Sequence, residues 1–395
     1  MKNYKLHTSE GYKDTFGAEM LIKKEIEHRI ISTFKHFGYE LIKTPTVEYI
    51  DVYSSNGMQK PDLYSLINRQ GEVLALCNDM TSSIARFVCS NHLEGQLKYC
   101  YTADVFRYPR LYQGKKHQFL QGGIELIGSN SIESDLEACH LACKCLNLCG
   151  ATNYTLHIGS AKFFNDLLDE FNISLELKKL INEAIQNKDY VTLNNILHES
   201  LETSKADFII DLMLRGGKLK YIDNLIDELK DFKVCEELKY LRSIYTTLKE
   251  LGIDNIIFDF SIYSYAGYYT GLVFAIYIDG ISKAVIEGGR CDELFKTFGS
   301  DLKNIGFGLD IDALSLYALE NNLMDLKNVK YLAYSLDIDS LILASKTNNE
   351  LRNKGIIVNH LTFTNQAEAL EYAKNNGYIK VLEYKNNTLK TLEVE

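Results

Sequence analysis

The chain has 395 residues, 43 basic and 53 acidic side chains for a formal net charge of −10, and 46% apolar residues. That length accommodates two or three domains with real cores, and the acidic balance argues against a protein that relies on long-range attraction to nucleic acid. No window approaches the roughly 18 apolar residues of a membrane span, and the N-terminal "MKNYKLHTSEGYKDTFG" has no apolar signal core, so the expected compartment is the cytoplasm.

From Ala18 to Phe37, the residues Ile22, Ile26, Ile30, Phe34 and Phe37 recur at helical spacing, and Gly38 closes the segment. "YELIKTPTVEYI" predicts a strand, a break at Pro45 and a second strand. "LYSLINRQGEVLALC" predicts a hairpin turning at Gln70-Gly71. Asp79 is placed to cap the N-terminus of a helix through "MTSSIARFVCS". Strands are expected from Leu97 to Tyr108 and from Gln118 to Gly128. The loop region joining them carries Arg107, Arg110, Lys115, Lys116 and His117 without an acidic residue between them. Such a loop presents cations to phosphate groups from a rigid platform. On the returning strand Gln121 and Glu125 are four positions apart, so both point to one face.

Ser131 or Ser134 caps a helix ending near Gly150 that contains "CHLACKCLNLC". Cys139 and Cys143 share one helical face, and Cys145 and Cys149 share another. Four thiolates on one straight helix cannot close a tetrahedron around zinc. These cysteines are expected to pack, and neither a metal nor a cofactor is predicted. "YTLHIGS" reads as a strand, and residues 162–251 turn helical with "LLDEF", "LINEAI" and "LIDELK". Strands resume with "IIFDFSIY", with "YYTGLVFAIYI" ahead of a hairpin at Asp279-Gly280, and with "KAVIEGGR". "NIGFGLDIDALSLYALE" is strand then helix. The expected fold is α+β: an antiparallel sheet with flanking helices over residues 1–327, a helical insertion at 162–251 within it, and a small α/β domain over 328–395 with a boundary near Lys327.

These blocks, in this order, resemble the class II aminoacyl-tRNA synthetases. "FGYELIKTPTVEY" is similar to their dimer-interface motif around Pro45, and "FRYPRLYQGKKHQFLQGGIELIG" to the strand-loop-strand that clasps ATP. "YYTG" and "EGGRCDEL" resemble signatures of the histidyl-tRNA synthetase branch, and "IGFGLDIDAL" sits where that branch has its third motif. The likeness spans roughly Asp14 to Tyr317. It implies that Arg107 meets an α-phosphate and that Lys115, Lys116 and Arg290 are phosphate-facing remnants. It also implies that Gln121 and Glu125 receive a histidine, that Asp79 and Thr81 hold its amino group, and that Tyr268 and Tyr269 form an aromatic wall.

Plainer readings stand beside each role. Asp79 as a helix cap needs no ligand, Arg107 has Glu125 as a candidate carboxylate partner, and Lys115 and Lys116 could solvate a loop tip. Of Tyr268 and Tyr269, which alternate on a strand, one is expected in the core.

The departures from the family pattern are chemical. The synthetase arginine before "YYTG" is Ser264 here, the one closing the third motif is Ala313, and the adenine-reading glutamate is Pro109. The tyrosine after "GGR" is Cys291 and the arginine before Asp79 is Cys77. Losing one preorganised donor typically costs ~3 kcal/mol of transition-state stabilisation, so two missing arginines imply a loss of ~10⁴ or more in adenylation rate. One paralogous family resembles this pattern of losses: the non-catalytic regulatory subunits of ATP phosphoribosyltransferase, which support a short catalytic subunit in histidine biosynthesis. That likeness implies a catalytic-subunit partner, a dimer through the Pro45 region, histidine as allosteric ligand, and no tRNA, in keeping with a short C-terminal domain. The alternatives are a divergent histidyl-tRNA synthetase, which must replace both arginines, and a synthetase-like module sensing tRNA or histidine outside this pathway.

Overall fold

The structure, a computed structural model, describes residues 4–54, 63–108, 116–186, 189–265, 269–324 and 329–394. Two compact units divide the chain, Met1–Met324 and Asp325–Glu395.

In the first unit, α1 (Gly17–His36) buries Ile22, Ile26, Ile30 and Phe34 along one stripe. β1 (Glu40–Leu41) and β2 (Val47–Tyr49) flank Pro45 as expected, but they enter different sheets. Proline at the junction suits this, because it fixes φ and donates no ladder hydrogen bond. After α2 (Asp51–Ser54), the antiparallel hairpin of β3 (Ser65–Ile67) and β4 (Val73–Leu76) turns through Gly71. Gly71 has φ +84°, the left-handed region where only glycine is unstrained. Then come α3 (Met80–Ser90), β5 (Leu97–Phe106), β6 (Gln118–Ile127), α4 (Ile132–Leu148, capped by Ser131) and β7 (Tyr154–Ser160).

The predicted helical stretch is α5 (Ala161–Glu170), α6 (Leu175–Gln186), α7 (Tyr190–Ser200), α8 (Thr203–Leu214), α9 (Leu219–Glu228) and α10 (Cys235–Glu250). Their apolar stripes meet through pairs such as Phe171 with Phe208 and Phe232. "IIFDFSIY" departs from expectation. Only β8 (Ile256–Phe258) is strand, and a 3-10 turn follows from Phe260 to Tyr265. The Asp259 carboxylate accepts from the Ser261 N–H at 2.9 Å and its hydroxyl at 2.6 Å, folding the backbone into a turn that the apolar pattern hides. The unit closes with β9 (Leu272–Ile278), β10 (Ile286–Arg290), α11 (Asp292–Thr297), β11 (Asn304–Asp310) and α12 (Ile311–Glu320).

Eight strands form the main sheet in the order β1-β5-β6-β11-β10-β9-β7-β8. All its neighbours are antiparallel except β1 with β5 and β7 with β8. Alternation along the strands divides the residues between two faces. One face is sealed by α1, α4 and α12, with Phe34 edge-on to Phe307. On the other, α3 and α11 cover Tyr101, Val105 and Phe119. Burial of this kind, about 2–3 kcal/mol for each large apolar side chain, holds the strands that carry the polar residues described next.

In the second unit, β12 (Lys330–Ser335), α13 (Leu341–Asn353), β13 (Ile357–His360), α14 (Gln366–Asn375), β14 (Lys380–Lys385) and β15 (Thr388–Glu393) form a sheet ordered β13-β12-β14-β15. Leu332 and Tyr334 pack toward α14, while Ala333 packs toward α13, so the helices cover opposite faces.

Candidate functional site

The uncovered stretch of the second face is floored by glycine. A Cβ on Gly123 would fall 2.5 Å from the Tyr101 hydroxyl, and one on Gly308 would fall 2.4 Å from Gln121 Nε2. On Gly289 it would meet the Tyr269 ring at 2.9 Å. Larger residues there would displace the polar groups that now lie over the sheet, so the glycines create the room the site occupies. Tyr101 donates to Gln121 Oε1 at 3.1 Å, fixing that side chain.

Asp79 caps α3: its carboxylate accepts from the N–H groups of Thr81 (3.2 Å) and Ser82 (3.1 Å) and from the Ser82 hydroxyl (2.8 Å). The helix N-terminus favours this negative charge. The same turn aims the Thr81 hydroxyl at Glu125 Oε1, to which it donates at 2.6 Å. From β11, Asn304 Nδ2 donates to the other carboxyl oxygen at 2.7 Å and to Cys291 Sγ at 3.1 Å. Glu125 is 2% exposed. Burial pushes its carboxyl up to about 8, against the pull of the Thr81 and Asn304 hydrogen bonds and with help from the nearby Asp79 charge. Burial likewise raises the Tyr269 hydroxyl well above its usual value.

The structure therefore gathers Asp79, Thr81, Gln121, Glu125 and Tyr269 around one floor. Arg107 lies apart. It is exposed, with its guanidinium 5.3 Å from the centre of the Phe119 ring. The alternative pairing of Arg107 with Glu125 is corrected: both oxygens of Glu125 are held by Thr81 and Asn304, and Arg107 makes no ion pair among the described residues. Lys116 sits 3.5 Å from Asp312, which also pairs with Lys23. These groups line a separate cleft with Tyr12, Lys13 and Phe119.

Arg290 does not face a phosphate position, and that expectation is corrected. Its neighbour Gly289 looks into the site, so strand alternation turns Arg290 to the opposite face. There it is 6% exposed and ion-paired with Asp135 at 2.8 Å. It also donates to the Ser129 and Ser131 carbonyls and to the Ser134 hydroxyl. The Tyr240 hydroxyl of α10 donates to the same Asp135. Arg290 is a structural rivet, fully committed.

Lys115, Tyr268 and Pro109 lie outside the described residues, and Ser264 falls in the 3-10 turn. Ala313 is the third helical residue of α12, where its N–H is taken by Asp310 at 2.8 Å. Cys77 and Cys291 are buried. Among the described residues no cluster of three or more His, Cys, Asp or Glu side chains could hold a metal, and Cys139, Cys143, Cys145 and Cys149 are all buried. No described helix is long and apolar enough to cross a membrane.

Two site residues escaped the sequence reading, Asn304 and Tyr101. Asn304 opens "NIGFG", where a polar residue precedes glycines alternating on one face. That spacing is the available signal. Tyr101 carries none among 26 tyrosines.

Comparison with known proteins shows the family of the chain. The family model described as histidyl-tRNA synthetase matches residues 11–314. An ATP phosphoribosyltransferase regulatory subunit from Clostridium botulinum is 32% identical over 95% of this chain and 91% of its own length. A solved structure from Bacillus halodurans C, titled an ATP phosphoribosyltransferase regulatory subunit/histidyl-tRNA synthetase, superimposes with a TM-score of 0.84 at 25% identity, covering 97% of this chain and 99% of that one. A histidyl-tRNA synthetase from Nostoc sp. shares the fold, with a TM-score of 0.80 at 19% identity over 98% of this chain and 97% of its own. The chain thus belongs to the histidyl-tRNA synthetase family, and within it to the ATP phosphoribosyltransferase regulatory subunits.

Proposed function

We propose that this chain works in the cytoplasm as a non-catalytic subunit that activates a short catalytic ATP phosphoribosyltransferase subunit and carries histidine feedback to it. The observation that bears most weight is the mismatch between the two halves of the ancestral site. The amino-acid half keeps its acids and their fixed partners, Asp79, Thr81, Gln121 and Glu125. The nucleotide half has Ser264 and Ala313 where adenylation needs arginines, and Arg290 is locked into the fold.

In this reading the ammonium of histidine meets Asp79, its imidazole meets Glu125, and Gln121 and Tyr269 line the pocket. Tyr268 belongs to the same wall by family likeness. Without an arginine at position 264, the ligand carboxylate lacks a charge-assisted partner, so affinity should be lower than in a synthetase. By family likeness Arg107, Lys115 and Lys116 are the cations left to meet a phosphate. Histidine shifts the population of the complex toward a less active state in proportion to its preference for that state.

The proposed dimer uses the sheet beyond Pro45. Val47, Tyr49 and Leu66 are 39%, 55% and 39% exposed. They pair across the ladder with the half-buried Leu76 and Leu74, so all five share one face. Contiguous exposed apolar patches of this sort mark association surfaces.

The deciding assay is formation of phosphoribosyl-ATP by a short-form catalytic subunit with and without this chain. Strong activation by a chain inactive alone is the expected result. No activation of a cognate partner, together with histidine-dependent pyrophosphate exchange from ATP, would instead identify an active synthetase.

A further inference from the structure

Asn304 is fully buried, and its Oδ1 has no hydrogen-bond partner among the described residues while Nδ2 serves Glu125 and Cys291. A carboxamide carries donor and acceptor at opposite corners, and a half-turn about χ2 exchanges them. In the observed orientation Nδ2 donates to an ionised Glu125. Reversed, Oδ1 accepts from a neutral one, and the Cys291 thiol can switch from acceptor to donor. One corner is unpartnered either way, so the reversal sacrifices no bond. The Thr81 hydroxyl on the other oxygen can also donate or accept. Glu125 therefore sits between two partners that suit both of its charge states.

The groups facing Glu125 weigh against its charge. Asp79 approaches from the cap of α3, Tyr101 from β5, Cys291 from the end of β10 and Tyr269 from the segment before β9, while Tyr39, bonded to Glu137 on the other side of the sheet, is felt only through it. Further out, Glu287 and Asp292 act on Tyr269 and Cys291, and Arg107 acts on Tyr101. No lysine or arginine among the described residues pairs with Glu125. An entering cation would be the first positive charge against it.

We propose that Asn304 is a positioning residue that lets Glu125 surrender its proton when a cationic amino acid enters, so that ligand binding here is coupled to proton release. The protonated carboxyl becomes a carboxylate facing the ligand's imidazolium. Below about pH 6.5, where the imidazole enters already charged, the proton goes to bulk water, and above it the proton passes to the neutral imidazole. This rests on the reading of the pocket as a histidine site.

The test begins without ligand. The Glu125 carboxyl resonance of the full chain, assigned by its loss in Glu125→Gln, is followed by carbon NMR across pH 5–10. Its midpoint should lie near 8, and Asn304→Leu should raise it by about one pH unit or more by removing a donor to the ionised form. Thr81→Val should act in the same direction and serves if Asn304→Leu does not fold. Unchanged midpoints overturn the assignment. Calorimetry with L-histidine at pH 5, where its imidazole enters already protonated and the Glu125 carboxyl still holds its proton, in buffers of different ionisation enthalpy, should then report close to one proton released per ligand bound. Binding without proton release overturns the coupling. Shifted midpoints with no histidine binding support the hold of Asn304 on Glu125 and refute histidine as the occupant.

Discussion

Gly306 and Glu125 oppose each other across the β6–β11 ladder, so closely that a Cβ on Gly306 would lie 2.4 Å from Glu125 Oε2. The same Cβ would lie 2.4 Å from the Ile124 carbonyl oxygen, which is backbone and cannot swing away. Gly306→Ala should therefore cost about 1–3 kcal/mol of stability and push the Glu125 carboxyl off its partners. Urea unfolding reads the first effect and histidine calorimetry the second. A variant indistinguishable from the parent in both would show that the carboxyl is not confined there.

Stability should fall as pH rises through the neutral range. The Glu125 carboxyl titrates near 8 in the folded chain, against 4.5 for the ordinary group. Between those values the folded state holds a proton that the unfolded state has released, so the unfolded state gains on raising pH. The slope is up to about 1.4 kcal/mol per pH unit, with no further loss from this group above its folded value. Glu125→Gln is neutral in both states and should flatten this component. Urea midpoints of parent and variant compared from pH 5 to 8 should drift apart steadily, with the variant gaining. A constant difference contradicts the prediction.

Arg290→Met is expected to cost about 3–5 kcal/mol, because it strands the Asp135 carboxylate in a buried position. Burial already pushes that carboxyl up, against the pull of the guanidinium. Denaturant unfolding of the isolated chain suffices as the measurement. Were Arg290 a phosphate ligand, the isolated chain would lose little or nothing.

Two substitutions at Asp79 separate its roles. Asparagine caps a helix about as well as aspartate, whereas alanine loses roughly 1 kcal/mol. Asp79→Asn should thus keep most of the stability that Asp79→Ala loses, while both weaken binding of the histidine ammonium. If Asp79→Asn binds histidine as tightly as the parent, the cap is the whole purpose of this residue.

Tyr49→Glu places a charge at the centre of the apolar face formed by Val47, Tyr49 and Leu66. Sedimentation analysis should find the parent dimeric and the variant shifted toward monomer. A parent that sediments as a monomer at micromolar concentration would place the association surface elsewhere.

Much of the fold was legible because its signals are local. The Asp79 cap, the hairpin at Gly71 and the shared face of Gln121 and Glu125 each follow from a few neighbouring residues. The extension of β8 was misread because the Asp259–Ser261 turn is made by side-chain hydrogen bonds inside an apolar run. Arg290 was misread for a different reason. Its partners at the start of α4 and in the turn before it lie more than 150 positions away, and a basic residue after two glycines looks the same in a phosphate loop and in a buried ion pair. Asn304 was passed over because its meaning depends on Glu125, a residue no local pattern connects to it.

Asn304 and Glu125 are 179 positions apart, and that distance is also a delay. At about 5–20 residues per second of synthesis, β6 leaves the ribosome roughly ten to forty seconds before the strand that completes it. During that wait one edge of the β5–β6 hairpin is unpaired, the kind of surface that recruits other chains. Glu125, still in water, is then an ordinary ionised carboxylate on that open edge, and its charge discourages misassociation. The side chain whose charge the finished fold suppresses is thus a guard for the nascent one, relieved of duty when β11 arrives.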